Sequence, residues 1–300
     1  LFFAIGVSLA MAALLSVITT FRAGQGDLRG AMTEGQRTVS ASRASQHARD
    51  ALVVAQVALT LVLLIGSGLL TRSFVRLLEV DNGFDVKNDA LLLDLRLPWA
   101  EGADQAARQI DFQDRLIAGL KTQPGITGVG LVNDFPLGGG GSYSNGTFIE
   151  VNSPTEITSF EQYMALGPAE RDARSGNAGY RVASGEYFRV MGIPLVRGRL
   201  FEARDAMSQP HVAVISESLA KQKWPNSDPI GKLIQFGNMD GDLRVMRIVG
   251  VVGDVREFNP EIPPGPLFYG NYAQRASAAS SFTLVVRGPR AAGAGAAAQQ

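Results

Sequence analysis

Cysteine is absent from the 300 residues, which excludes disulfide staples, thiolate metal sites and cysteine nucleophiles. Histidine is almost absent as well. His47 and His211 stand far apart, too little material for a histidine-ligated zinc site or a His-relayed hydrolase. Neither sign of charge is in surplus, with 28 Lys+Arg against 28 Asp+Glu. Nucleic acid is thereby excluded as a partner, because it is held by clustered surplus cations. Charged residues are scarce overall, 19% against about 25% in ordinary soluble domains. The mean hydropathy of +0.08 is low for a chain wholly in a membrane and high for one wholly in water. The average conceals two unlike parts.

Two long apolar runs carry the first part. Leu1 to Phe21 and Ala51 to Thr71 contain no charged residue, and Asp50 and Arg72 bracket the second. At about 1.5 Å per residue each spans a hydrocarbon core of about 30 Å. Transmembrane helices are therefore expected over 1–21 and 51–71. Leu1–Phe21 lacks the positive flank and cleavage site of a signal peptide, and reads as the end of a helix whose start is missing. Ala291–Gln300 reads as a helix cut short, so the chain is expected to be a fragment. Residues 22–50 carry Arg22, Arg29, Arg37, Arg43 and Arg49 against three acids, and read as a flexible or partly helical linker. The positive-inside rule puts this linker in the cytoplasm and everything after Thr71 outside.

Beyond the second span an apolar stripe through Leu70, Phe74, Leu77 and Leu78 extends the helix as a stalk over 72–82, ended by Asp81-Asn82-Gly83. Residues 83–300 then alternate strand and helix signals. Ala90–Leu97 reads as a strand, and Asp104–Gln123 as a helix whose Ile110, Phe112, Leu116, Ile117 and Leu120 share one side. Ile126–Val132 reads as a strand completing a βαβ unit. Thr147–Val151 is a further strand, and Gln162–Ala178, without clear period, reads as an irregular loop. Ser184 is placed to cap a short helix through Met191, and Ile193–Val196 is a strand. Val212–Ile215 is a strand leading into a helix over Glu217–Trp224. Leu233–Phe236 and Leu243–Val252 form a hairpin around Asn238-Met239-Asp240-Gly241, and Phe282–Arg287 is a last strand. The expected fold class is an α+β extracytoplasmic domain of two lobes attached to transmembrane helices.

Candidate chemistry fails residue by residue. Gly138–Gly141 lacks the Lys of a P-loop, and the lone Gly231-Lys232 is followed by Leu233. Asn238, Asp240 and Asp242 alternate like calcium ligands, but no terminal glutamate follows. Glu101 with Asp104, and Glu170 with Asp172, read as solvated faces or helix N-terminal acids. Ser184 and Ser216 have no nucleophile-elbow setting, and His211 stands alone before a strand. Gln56, inside the second span, suits helix–helix hydrogen bonding. No catalytic, cofactor-binding or metal residue is assigned, and the expectation is a protein that is not an enzyme.

Several strings are more specific. Arg49 to Glu79, with its core ALVVAQVALTLVLLIGSGLLTRSFVRLLEV, resembles the helix entering the extracytoplasmic domain of MacB/FtsX-type ABC transporter permeases. So do YFRVMGIPLVRGR from Tyr187 to Arg199, VISESLA from Val214 to Ala220, DPIGK from Asp228 to Lys232, and IVGVVGDVR from Ile248 to Arg256. Arg22 to Gly35 resembles the tail after the last helix of a permease half. The resemblance implies a MacB-like periplasmic core domain over 83–300, with a porter-like lobe from the βαβ unit and a second lobe around 180–260. It also implies the duplicated permease form, with residues 1–21 ending the first half. The partners implied are the lipid bilayer, a cytoplasmic ATP-binding cassette subunit in trans, a second permease half or homodimer, and a periplasmic adaptor or outer-membrane channel. The place implied is the cytoplasmic (inner) membrane with the domain outside, and the mechanism is mechanical, for efflux or extraction of a substrate. A membrane-anchored sensor or binding module is the alternative, but its recognition domain belongs between two spans, where only residues 22–50 lie.

Overall fold

The computed structural model describes Ser16 and residues 43–85, 90–98, 102–138, 145–235 and 242–289. The rest of the first apolar run, residues 22–42 of the linker, the Asn238–Gly241 turn and the end after Pro289 lie outside the described residues. The chain divides into two compact units, Leu1–Arg72 and Ser73–Gln300.

The first described element is the 36-residue helix α1, Arg43–Leu78. It begins ahead of the expected span and takes in the end of the linker. Its portion Arg49–Leu78 holds an 18-residue window of mean hydropathy 2.3, none of it buried, so it is long and apolar enough to cross a membrane. Leu52 is 60% exposed and Leu70 is 74% exposed, an apolar surface on every side rather than one stripe. The hydroxyls of Thr60 and Thr71 donate back to the carbonyls of Gln56 and Ser67, at 2.7 and 2.9 Å. These polar groups are thus satisfied inside the helix, as an apolar surrounding demands.

The described residues of the Ser73–Gln300 unit form ten strands joined in one hydrogen-bonded network. Strand β1 (Ala90–Arg96), helix α2 (Ala103–Lys121) and strand β2 (Gly128–Val132) are the expected βαβ unit. The last strand, β10 (Ser281–Arg287), lies between β1 and β2 and is antiparallel to both. The two strands of the unit are therefore parallel but separated, a split βαβ. Alternation explains β1: Leu91, Leu93 and Leu95 turn inward and pack with Leu116, Ile117 and Leu120 of α2 over Leu131, Phe282 and Leu284. One expectation fails here. Phe112 is 40% exposed, whereas Gln109 and Gln113 are buried. Their side-chain amides donate to the Ala276 and Ala279 carbonyls at 2.6 and 2.9 Å, seating the helix on a 3₁₀ turn, Ala276–Ala279. Polar seats of this kind look like surface in an apolar count.

The larger lobe is a closed circuit of six strands: β3 (Asn145–Val151), β4 (Ser175–Ala183), β6 (His211–Ser216), β7 (Leu233–Gln235), β8 (Met246–Val252) and β9 (Leu267–Asn271). Gly179 of β4 pairs with both Asn145 and Leu267, and Ala183 with both Val132 and Asn271. So β9 runs along one edge of β4, and β3 followed by β2 along the other. The path β4-β3-β7-β8-β6-β9 returns to its start, which removes open edges. Phe148, Tyr180, Ile215, Ile234, Met246, Ile248 and Phe268 fill it. The short strand β5 (Leu195–Gly198) pairs with β8, and the expected β7–β8 hairpin is antiparallel with Leu233 opposite Arg247.

Two expectations need correction, and one strand goes beyond them. Residues 162–178 are not an irregular loop: helices α3 (Phe160–Ala165) and α4 (Pro168–Arg174) lead straight into β4. The signal was hidden because β4 opens with small and polar residues, Gly176 leaving room for the Phe148 ring. Strand β9 has no counterpart among the expected strands, being a short apolar run between prolines and polar residues. Finally, Ser184 precedes α5 (Gly185–Met191) without capping it; its hydroxyl accepts from the buried Leu131 N–H of β2 at 3.0 Å. That bond draws α5 onto β2, where a Cβ at Gly130 would lie 2.6 Å from the Tyr187 Cα. Ser216, by contrast, does cap its helix α6 (Glu217–Lys223), accepting from Leu219 N–H at 3.3 Å and from Leu267 N–H at 2.8 Å.

Candidate functional site

Where α1 ends, the chain is fixed within a few residues. The Asp81 carboxylate accepts from Gly83 N–H at 2.9 Å, an Asx turn that stops the helix. Gly83 has φ +78°, and a Cβ there would lie 1.9 Å from the Asp254 carbonyl oxygen. Glycine is required on both counts.

Three distant elements then hold the segment Asp81–Asp85. From the loop after β8, Arg256 donates its backbone N–H to the Asn82 carbonyl and its Nε to the Asp81 carbonyl, both at 3.0 Å. Its guanidinium also reaches the Ile262 carbonyl at 2.6 Å, bracing its own loop. From the end of α5, the Met191 carbonyl accepts from Asp85 N–H at 2.7 Å. From the end of β10, Arg287 forms an ion pair of 3.5 Å with the Asp85 carboxylate and donates to the Asp85 carbonyl. Phe84 sets its ring edge-to-face against Phe135, with centroids 6.1 Å apart. The segment is a splice into the domain rather than a tether.

The loop that supplies Arg256 is anchored one residue later. Glu257, with its side chain 5% exposed, pairs with Arg181 of β4, itself 3% exposed. Arg181 Nε donates to Glu257 at 2.9 Å, Nη2 also reaches it, and Asp134 closes on the same guanidinium at 3.2 Å. Burial pushes the Glu257 carboxyl above its ordinary value against the pull of Arg181. For Arg181 burial works the other way, but Glu257 and Asp134 outweigh it and raise its pKa. Such a pair contributes position more than net stability, and removing one partner strands the other. Burial also raises the phenols of Tyr187 and Tyr269 beside this cluster, so both stay neutral.

The residues weighed in the sequence are scattered. Gly138 donates to the Phe135 carbonyl in a turn at 3.2 Å, and residues 139–141 lie outside the described set. Asn238 and Asp240 lie outside it too, while Asp242 pairs with Arg244 and Arg275. Glu101 lies outside the described residues. Asp104 sits in the first turn of α2 and Glu170 in that of α4, where it pairs with Arg174 at 3.0 Å, and Asp172 follows in the same helix. Gln56 is exposed on α1. Among the described residues no three His, Asp or Glu side chains gather as a metal site. His211 is 4% exposed, with the Met207 backbone beside its ring. Burial, then the cations of Arg275 and Arg244, lower its pKa from 6.5 to about 4. The splice residues Asp85, Arg256 and Arg287 escaped sequence reasoning. Only the Asp81-Asn82-Gly83 turn signalled its place.

Over 119 residues the chain is 29% identical to the macrolide export ATP-binding/permease protein MacB of Agrobacterium fabrum, matching 39% of this chain and 16% of that protein. It is 38% identical over 69 residues to the protein of the same name from Mannheimia succiniciproducens, matching 23% of this chain and 10% of that one. The chain thus spans a small part of the length of these relatives. Among solved structures, the periplasmic region of MacB from Actinobacillus actinomycetemcomitans overlaps 71% of this chain and 79% of its own at 20% identity, with a TM-score of 0.39. The extracellular domain of the noncanonic ABC-type transporter YknZ from Gram-positive bacteria overlaps 69% and 88% at 13% identity, also with a TM-score of 0.39. The family model for the MacB-like periplasmic core domain matches residues 1–299, and the chain belongs to that family.

Proposed function

We propose that this chain is part of the transmembrane permease subunit of a MacB/FtsX-type ABC transporter, passing movement of its membrane helix to a domain outside the cell membrane. In this reading residues 51–71 of α1 cross the cytoplasmic membrane, residues 22–50 face the cytoplasm, and the Ser73–Gln300 unit lies in the periplasm or extracytoplasmic space. An ATP-binding cassette subunit acts in trans on the cytoplasmic side. A second permease half, or a second copy, completes the membrane part, and a periplasmic adaptor or outer-membrane channel receives the domain's movement. The chain's own contribution is efflux or extraction of a substrate by displacement, not catalysis.

The splice at Asp81–Asp85 carries the reading. A segment that merely tethered a sensor would need no bonds to a loop, a helix end and a strand end at once. Here backbone amides and two arginines lock it to all three, so displacement at Leu78 is handed to the domain within a few residues. The family match supports the same reading.

Purification of the full-length protein with its neighbours tests it. An ATP-hydrolysing subunit co-purifies, and an impermeant thiol reagent on intact cells labels Ser208→Cys but not Ser40→Cys. Labelling of Ser40→Cys from outside reverses the orientation, and a preparation without ATPase activity removes the coupling.

A further inference from the structure

Beside α2 lies a cleft of about 1160 Å³, on the scale of sites that enclose drug-sized molecules. One wall is the face of α2 that carries Ala106, Ala107, Ile110, Asp114 and Ile117. The facing wall consists of the Phe201–Met207 turn, Asp242–Arg244 and Asn271–Ala278.

The facing wall is held by three polar side chains that are 3%, 0% and 3% exposed: Asn271, Gln274 and Arg275. Asn271 donates to the Asp205 carbonyl at 2.8 Å. Gln274 donates to the Ala206 and Pro210 carbonyls at 3.0 and 3.3 Å and accepts from Val212 N–H at 2.9 Å. Arg275 donates to the Asp242 and Arg244 carbonyls at 2.9 and 2.6 Å. Burying such groups is costly unless each bond is made, and here the bonds shape a concave wall. The cleft is preformed, so a ligand entering it spends little on ordering the protein.

Its charge is specific. Six carboxylates and three cations line it, and five of the six are matched. Asp111 pairs with Arg115, Glu186 with Lys121, Glu202 with Arg204, Asp205 with Arg199 and Asp242 with Arg244. Asp114 alone forms no ion pair among the described residues; its one hydrogen bond comes from the Tyr272 hydroxyl. Ile110 and Ile117 stand four and three positions away along the same face of α2.

We propose that this cleft binds an organic cation with an apolar body, its charged group at Asp114 and its body against Ile110 and Ile117. This rests on the transport reading and names a ligand class for it, while direct binding without any ATPase keeps the two separable. The full chain in lipid nanodiscs, with empty nanodiscs subtracted, is titrated calorimetrically with three probes sharing one apolar body: 1-naphthylmethylammonium, 1-naphthalenemethanol and 1-naphthaleneacetate. The ammonium binds best and the acetate worst. Asp114→Asn weakens the ammonium about fivefold and leaves the alcohol unchanged. Ala107→Trp, which sets an indole into the cleft beside Ile110, weakens binding of all three about tenfold with the circular dichroism spectrum retained. Equal affinity for ammonium and acetate, an ammonium affinity indifferent to Asp114→Asn, or affinities unchanged by Ala107→Trp overturn the proposal.

Discussion

Acidification should destabilise the Ser73–Gln300 unit in part through His211. It is 4% exposed on β6, and the Met207 backbone and the Asp242 carboxylate favour its protonated ring too weakly to offset burial. Burial first, then the neighbouring Arg275 and Arg244, lower its pKa from 6.5 to about 4, and the Asp242 carboxylate opposes them only in part. The folded state thus keeps the ring neutral while the unfolded chain takes up a proton once the pH falls below 6.5. More protons bind to the unfolded state in that window, so stability is full above pH 6.5 and declines until the pH reaches about 4. A shift of that size corresponds to about 3 kcal/mol, at about 1.4 kcal/mol per pH unit. Urea unfolding followed by emission of the buried Trp224 measures it, at pH 7 and pH 4, for the natural chain and His211→Leu. Carboxylates such as Glu257 titrate in both and cancel in the difference. The natural chain should lose about 3 kcal/mol more than the variant. Equal losses would refute the reasoning.

Other perturbations probe the splice and its anchor. Gly83→Ala puts a methyl 1.9 Å from the Asp254 carbonyl at φ +78°, and should lower stability by about 2 kcal/mol with faster proteolysis near Asp81. Arg181→Met leaves Glu257 buried without its cation, and should cost about 3–5 kcal/mol in urea unfolding; adding Glu257→Leu should recover much of that loss. Ser184→Ala removes the acceptor of a buried strand amide and should cost about 1–3 kcal/mol, with faster hydrogen exchange at Leu131. If the serine acted on its helix instead, the change would appear at Tyr187.

The parts legible in the sequence are those whose signal is local. A charge-free run over Ala51–Thr71 has one physical reading in either water or lipid, and α1 follows it. The Leu91, Leu93, Leu95 alternation marks β1, and Ser216 before Glu217 marks the start of α6. Where packing depends on distant partners the local signal fails. Gln109 and Gln113 look like surface, yet they find carbonyls 167 and 166 residues away. Strand β4 starts Ser-Gly-Asn-Ala-Gly, poor in β-formers, and is stabilised by neighbours on both edges. The splice needs Arg256, 175 residues from the Asp81 carbonyl that it holds. Nothing near either residue announces the other.

The central claim is that motion of the membrane helix passes through Asp81–Asp85 into the outer domain. Because the chain has no cysteine, dyes placed at Ser40→Cys and Ser208→Cys report one distance without further changes. In nanodiscs with the co-purified ATPase, energy transfer between them should change on ATP addition. Arg256→Ala should hydrolyse ATP at an undiminished rate while that change disappears. Hydrolysis without any change in transfer, or an Arg256→Ala protein that moves as before, would contradict the account.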